Sequence, residues 1–146
     1  MKKKVLFFNL ILFQTIVFSQ TRAEKDNLRF VEKFYEHLKK LDISVKEPLF
    51  WKYTYRDTTL ATLTNLSKAL QQEGVKTIFL DKSKDEKQKG KYELTVYEKK
   101  TYKNPKQLNE RLLYLNSIAT TFNITDKLAS VDAIKSDKTT YVEKYK

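Results

Sequence analysis

A chain of 146 residues that is 40% hydrophobic and 13% aromatic, with two glycines and two prolines, has the composition of one folded domain and not of a disordered chain. The absence of cysteine excludes disulfides, thiolate nucleophiles and thiolate-held metals, so stability must come from packing. A formal net charge of +11 would attract a polyanion, an acidic protein or anionic lipid, or simply furnish a solubilising lysine coat.

The chain opens MKKKVLFFNLILFQTIVFSQ, three lysines ahead of an apolar run from Val5 to Phe18 that is broken only by Asn9 and Gln14. This is the pattern of a secretory signal, and Val17 and Ser19 are small enough for the subsites of a signal peptidase, so residues 1–19 are expected to be removed and Gln20 to become the first residue. A run of this length spans a bilayer poorly, which disfavours an uncleaved anchor, and no lipobox cysteine follows. The expected location is the periplasm or the outside of the cell, with no stable membrane insertion after cleavage and, once Lys2, Lys3 and Lys4 are lost, a charge of +8.

From Ala23 to Leu41 the spacing of Leu28, Val31, Phe34, Tyr35, Leu38 and Leu41 predicts an amphipathic helix. The single histidine, His37, has Lys33 and Leu41 as its neighbours one turn away, which gives it neither a carboxylate orienter nor a second imidazole and makes it a solvated residue. After a connector over Asp42–Glu47, the run Pro48–Tyr55 alternates Leu49, Trp51, Tyr53 and Tyr55 against Phe50, Lys52 and Thr54, which predicts a strand with an aromatic core face. Asp57, Thr58 and Thr59 supply an N-cap for a helix whose stripe is Leu60, Leu63, Leu66, Ala69 and Leu70, ending near Gly74 as a left-handed C-cap. A strand over Val75–Leu80 and a charged turn over Asp81–Gly90 follow.

Tyr92, Leu94 and Val96 then alternate in a strand, and Asn104-Pro105 caps a helix whose buried stripe is Leu108, Leu112, Leu115, Ala119 and Phe122, packed on the strand before it. A last strand over Lys127–Ile134 carries Ala129, Val131 and Ala133 on one face, and residues 135–146 read as a polar tail. Set in order, the elements after the first helix are strand, helix, strand, strand, helix, strand. That is the order of a ferredoxin-like βαββαβ sandwich, an α+β fold, over residues 48–134, preceded by an additional N-terminal amphipathic helix and connector at 20–47.

The aromatic strand Leu49-Phe50-Trp51-Lys52-Tyr53-Thr54-Tyr55, the strand Tyr92-Glu93-Leu94-Thr95-Val96 and the helix carrying Leu112, Leu115 and Ala119 give the region 48–134 a pattern that resembles the RraB-like family, regulators of ribonuclease E activity. The resemblance implies a short ferredoxin-like domain that acts by binding another protein. Where that family closes on a Gly and an Asp-Gly-Trp-like turn, this chain has Phe122-Asn123-Ile124 and later Leu128-Ala129-Ser130-Val131-Asp132. The family's regulators are acidic and cytoplasmic, so the shape of a binding domain carries over and inhibition of a cytoplasmic ribonuclease does not.

An RNA-recognition motif shares the element order, but Lys89-Gly90-Lys91-Tyr92-Glu93 does not meet its Gly-aromatic signature, although Tyr97 and nearby Tyr102 could stack on bases. Catalysis is disfavoured: no Ser or Thr is placed with a base, no spacing favours any pair among Glu93, Glu98, Glu110 and Asp132, and two glycines are too few for a phosphate loop. No cofactor or metal is expected. If Tyr92, Leu94 and Val96 face the helices, the pleat turns Glu93, Thr95, Tyr97 and Lys99 to the other side, beside Phe50, Lys52, Thr54 and Arg56. The candidate partner-binding residues are therefore Phe50, Lys52, Arg56, Tyr97 and Lys99, an aromatic centre within a cationic rim. The expected function is non-catalytic binding of a protein partner, with a polyanion or anionic surface as the alternative; the competing use of this face is as a seat for the N-terminal helix.

Overall fold

Strand β1 (Leu49–Asp57) is the middle of the protein: Leu49, Trp51, Tyr53 and Tyr55 on one side of its pleat are all buried, three of them with no exposed surface. The computed structural model describes residue 22 and residues 24–124 and 126–135; the expected signal segment at 1–19 and the tail beyond Lys135 lie outside the described residues. The elements are helix α1 over 24–40, then β1, α2 (Leu60–Gln72), β2 (Lys76–Lys82), β3 (Tyr92–Lys100), α3 (Pro105–Thr121) and β4 (Asp126–Lys135). The strands form one four-stranded sheet in the order β2-β3-β1-β4, with antiparallel neighbours throughout. The protein is thus a mixed α+β fold with a four-stranded antiparallel sheet and three helices, an arrangement compatible with a ferredoxin-like fold.

Register follows from the aromatic strand. Trp51 lies opposite Glu98, Tyr53 opposite Val96 and Tyr55 opposite Leu94, so one face of β1 and β3 is continuous. Leu63, Leu66 and Leu70 of α2 and Leu108, Leu112, Leu115 and Ala119 of α3 close that face, and each is fully buried. A leucine buried in this way contributes about 1.5–3 kcal/mol. Helix α3 lies nearer to β4 and α2 than to the strand that precedes it.

Local chemistry sets the helix ends. Asn104 is extended and its side-chain oxygen accepts from the Gln107 N–H at 3.0 Å, with Pro105 as the first helical residue. Gly74 takes φ +80°, which lets the Val75 N–H return to the Leu70 carbonyl at 3.2 Å and tucks Val75 into the core. Thr59 occupies the N-cap of α2 without a side-chain cap bond, while Asp57 ends β1, its carboxylate accepting from the Thr58 N–H at 2.7 Å.

Two expectations need correction, and one of two alternatives falls away. Leu41 is 55% exposed: the chain leaves α1 through Asp42 at φ 55°, the Ile43 N–H returns to the Leu38 carbonyl, and Ile43 packs against the core in the place assigned to Leu41. Leu60 is 40% exposed, because it stands at the first position of α2, outside the layer that Leu63 and Leu66 bury. The apolar stripe of α1 does not cover the sheet face that carries Phe50 and Tyr97. Phe34 and Tyr35 instead pack on Trp51, with ring centroids 6.4 and 6.2 Å away, Tyr35 donates to the Tyr102 carbonyl at 2.6 Å, and Asn27 bonds Asn109 of α3. All three helices therefore share one side of the sheet.

Candidate functional site

The other side is formed by the residues that alternate with the core. Phe50 faces Lys99 across β1 and β3, and Lys52 faces Tyr97, which brings four of the five sequence-predicted residues into one patch. The Phe50 and Tyr97 rings lie 5.9 Å apart and tilted at 51°, and the Lys99 ammonium sits 5.6 Å from the Phe50 centroid. Both rings are half-buried and Lys99 is exposed. Lys52 reaches Asp132 on β4 at 3.7 Å. Arg56, about 13 Å further along β1 than Lys52, stands apart from the patch, with its Nε donating to Glu93 at 3.0 Å. No helix among the described residues covers this face.

Between Lys52 and Arg56 the face is hollow. The register places Ser130, Thr54, Thr95 and Phe79 side by side across all four strands, three short hydroxyl residues ending at an aromatic ring. Phe79 reaches this row through a register shift between Thr77 and Phe79 that returns the side chain to the open face. The resulting cavity is about 310 Å³, and Lys84 leans over Phe79 at 5.3 Å from its centroid. Among the described residues, charge on this side is close to balance: Lys52, Arg56, Lys76, Lys84 and Lys99 against Asp81, Glu93, Asp132 and Asp126, which the register sets opposite Arg56.

The helix side holds a polar cluster that sequence reasoning missed. Glu98, 3% exposed, accepts from the Tyr53 and Tyr102 hydroxyls, each at 2.8 Å, and from Arg111 Nε and Nη2 at 3.2 and 2.8 Å. Arg111 Nη2 also donates to the Glu73 carbonyl at 3.0 Å, and the Lys100 ammonium stands 3.8 Å from Glu98. Burial pushes the Glu98 carboxyl up, but the bonds from Arg111, Tyr53 and Tyr102 and the Arg111 charge outweigh it and hold Glu98 below the ordinary range. Burial, reinforced by Glu98, raises the Tyr53 and Tyr102 hydroxyls, so both remain protonated donors at neutral pH. The arrangement fixes a buried charge by four donors. Tyr102, expected near Tyr97 as a stacking residue, belongs to this cluster on the opposite side of the sheet.

The carboxylates considered for catalysis are dispersed. Glu98 faces the helices, Glu93 and Asp132 face the open side and pair with Arg56 and Lys52, and Glu110 is exposed on α3. His37 is exposed on α1. Among the described residues no cluster of His, Asp and Glu could hold a metal ion, and no helix is long and apolar enough to cross a membrane. A cavity of about 600 Å³ lies where α1, the connector and α3 meet, walled by Tyr35, Ile43, Val45 and Pro105 with Glu32, Glu36, Lys39 and Lys46 at its rim. No family model matches the chain, and no curated protein or solved structure matches it.

Proposed function

We propose that this protein is an exported, non-catalytic binding module of ferredoxin-like fold that holds a protein partner, through an acidic segment of that partner, on the open face of its sheet. The observation that carries this reading is the Phe50–Tyr97 pair with Lys99 over the Phe50 ring, on a face that α1, α2 and α3 all leave uncovered. A half-desolvated aromatic centre with charged neighbours has the make-up of an interface anchor. Lys99, exposed beside the ring pair, complements an acidic group, and the strands supply a rigid support. The strand order β2-β3-β1-β4 supports the ferredoxin-like assignment over 48–134, with α1 and the connector as an N-terminal addition. The resemblance to RraB-like proteins supports binding of a protein over catalysis, and the Lys2–Ser19 pattern supports export.

The test is capture from an envelope extract of the native host by wild-type protein and by Tyr97→Ala and Lys99→Glu, followed by titration of the purified captured protein. An acidic protein whose affinity falls about tenfold or more in both variants supports the reading. Equal affinity in wild type and Tyr97→Ala overturns it. The net positive charge of the chain also favours a second reading, binding of a polyanion, which salt separates: retention on heparin-like or nucleic-acid columns collapses between low and moderate salt for a polyanion binder.

A further inference from the structure

The hollow between Lys52 and Arg56 has a chemistry distinct from the aromatic patch beside it. Thr54 and Thr95 form its floor and are only 3% and 7% exposed, yet their hydroxyl oxygens have only each other, at 3.4 Å. Two hydroxyls bring two donors and four lone pairs, and their single mutual bond leaves one donor and three lone pairs unused in two residues that line the cavity. Ser130 adds a third hydroxyl at the β4 end. Such a floor suits a ligand rich in hydroxyl groups.

The walls add two further requirements. Phe79 closes the β2 end with an aromatic ring, whose electron-rich face receives the C–H face of a sugar ring. Lys52, Arg56 and Lys84 stand around the rim with Glu93. Lys52 is engaged with Asp132 and Arg56 with Glu93, so Lys84, over the Phe79 ring, is the rim cation that stands in no ion pair among the described residues, and Glu93 keeps acceptor capacity for a ligand hydroxyl. A bare inorganic anion would use Lys84 and leave the ring and the buried hydroxyls idle, and a neutral sugar would leave Lys84 without a counter-charge. At about 310 Å³ the cavity stands at the lower end of the range for small-molecule sites, roughly 300–1,000 Å³, which fits one sugar unit.

We propose that this transverse trench, floored by Thr54, Thr95 and Ser130 and ended by Phe79, is a binding site for a sugar acid, a single hydroxyl-rich ring carrying a carboxylate. The carboxylate draws Lys84 from its place over Phe79, the ring hydroxyls meet the threonine floor and Glu93, and the C–H face takes the Phe79 ring. The sugar acid is either free or the terminal unit of an acidic polysaccharide. This site is separate from the Phe50–Tyr97 patch and does not depend on the protein partner proposed above.

The experiment is amide chemical-shift mapping and calorimetry on protein purified from its native host, with galacturonate, trigalacturonate, galactose and acetate as probes. Galacturonate is expected to shift the amides of Thr54, Thr95 and Ser130 and to bind at least about tenfold tighter than galactose or acetate. Tighter binding of trigalacturonate identifies a polysaccharide end, and equal binding identifies the free sugar acid; both support the site. Replacing both members of a buried hydroxyl pair by groups of the same shape is nearly neutral for folding, so Thr54→Val/Thr95→Val should keep the unfolding midpoint while losing about tenfold in affinity. Should that variant not fold, Lys84→Ala carries the same expectation. Acetate binding as tightly as galacturonate, shifts confined to another part of the protein, or unchanged affinity in Lys84→Ala and the folded double variant each overturn the proposal. Loss of sugar binding with Tyr97-dependent capture intact refutes this site alone.

Discussion

Replacing Arg111 by methionine isolates the buried cluster on the helix side. The substitution keeps an apolar stem of similar reach and removes both bonds to Glu98, at 3.2 and 2.8 Å, together with the bond to the Glu73 carbonyl. The carboxylate left behind is 3% exposed and retains two tyrosine donors. Breaking a buried ion pair by removing one partner costs about 3–5 kcal/mol, a large part of the roughly 5–15 kcal/mol that holds a domain together. The side chains of Glu98 and Arg111 are only 2% and 13% exposed, so solvent screening does not diminish the effect. Urea unfolding followed by Trp51, the single tryptophan and wholly buried, reads the loss directly. The pH dependence gives an independent check. Because the folded-state Glu98 carboxyl lies below its unfolded value, near 4.3, its stabilisation is fully present above that value and is lost as pH falls through the lower, folded one. In Arg111→Met the lowering due to Arg111 is gone, so the variant loses less than wild type on acidification and the gap between them narrows. A cost below about 1 kcal/mol at pH 7, or a gap equally wide at pH 7 and in acid, would refute this account of the cluster.

The two central tyrosines should respond with opposite signs. Tyr53→Phe removes a donor to a buried carboxylate and should cost about 1.5–3 kcal/mol, whereas Tyr55→Phe removes a buried hydroxyl with no hydrogen-bond partner and should leave stability unchanged or raise it; parallel urea titrations decide. Leu115→Ala on the buried stripe of α3 should cost about 2–5 kcal/mol, and a change within about 0.5 kcal/mol in denaturant unfolding would show that the stripe carries little of the core. Gly74→Ala meets no atom within 4 Å but must hold φ +80°, so a loss of about 1–2 kcal/mol without change in the core packing is expected from thermal unfolding. Mass spectrometry of the protein from its native host should find a chain beginning at or near Gln20; an intact Met1 would remove the argument for export.

The features legible in the sequence are those that one element writes in its own spacing. Trp51, Tyr53 and Tyr55 announce a core strand by alternation, Leu108, Leu112 and Leu115 announce the face of α3, and Asn104-Pro105 marks where that helix begins. Alternation also placed Phe50 and Tyr97 on one face, and the register brings their rings together. What stayed hidden needs two elements at once. Glu98 reads as a surface residue until Arg111, thirteen positions on, folds over it, although its place in phase with Leu94 and Val96 was a signal that the core face continues. The threonine floor requires the pairing of Thr54 with both Thr95 and Ser130, and Phe79 joins it only through a register shift that no alternation announces. Leu41 was assigned to the core by helical spacing, but Asp42 ends the helix one step too early for that spacing to apply.

Site-specific photo-crosslinking in the native host tests the open face as the binding surface most directly, with a photoreactive phenylalanine at Tyr97 on the open side or at Tyr114, 46% exposed on α3. The account predicts a discrete crosslinked adduct to an acidic protein from position 97 and none from position 114. Adducts from position 114 alone, with position 97 silent, would contradict it.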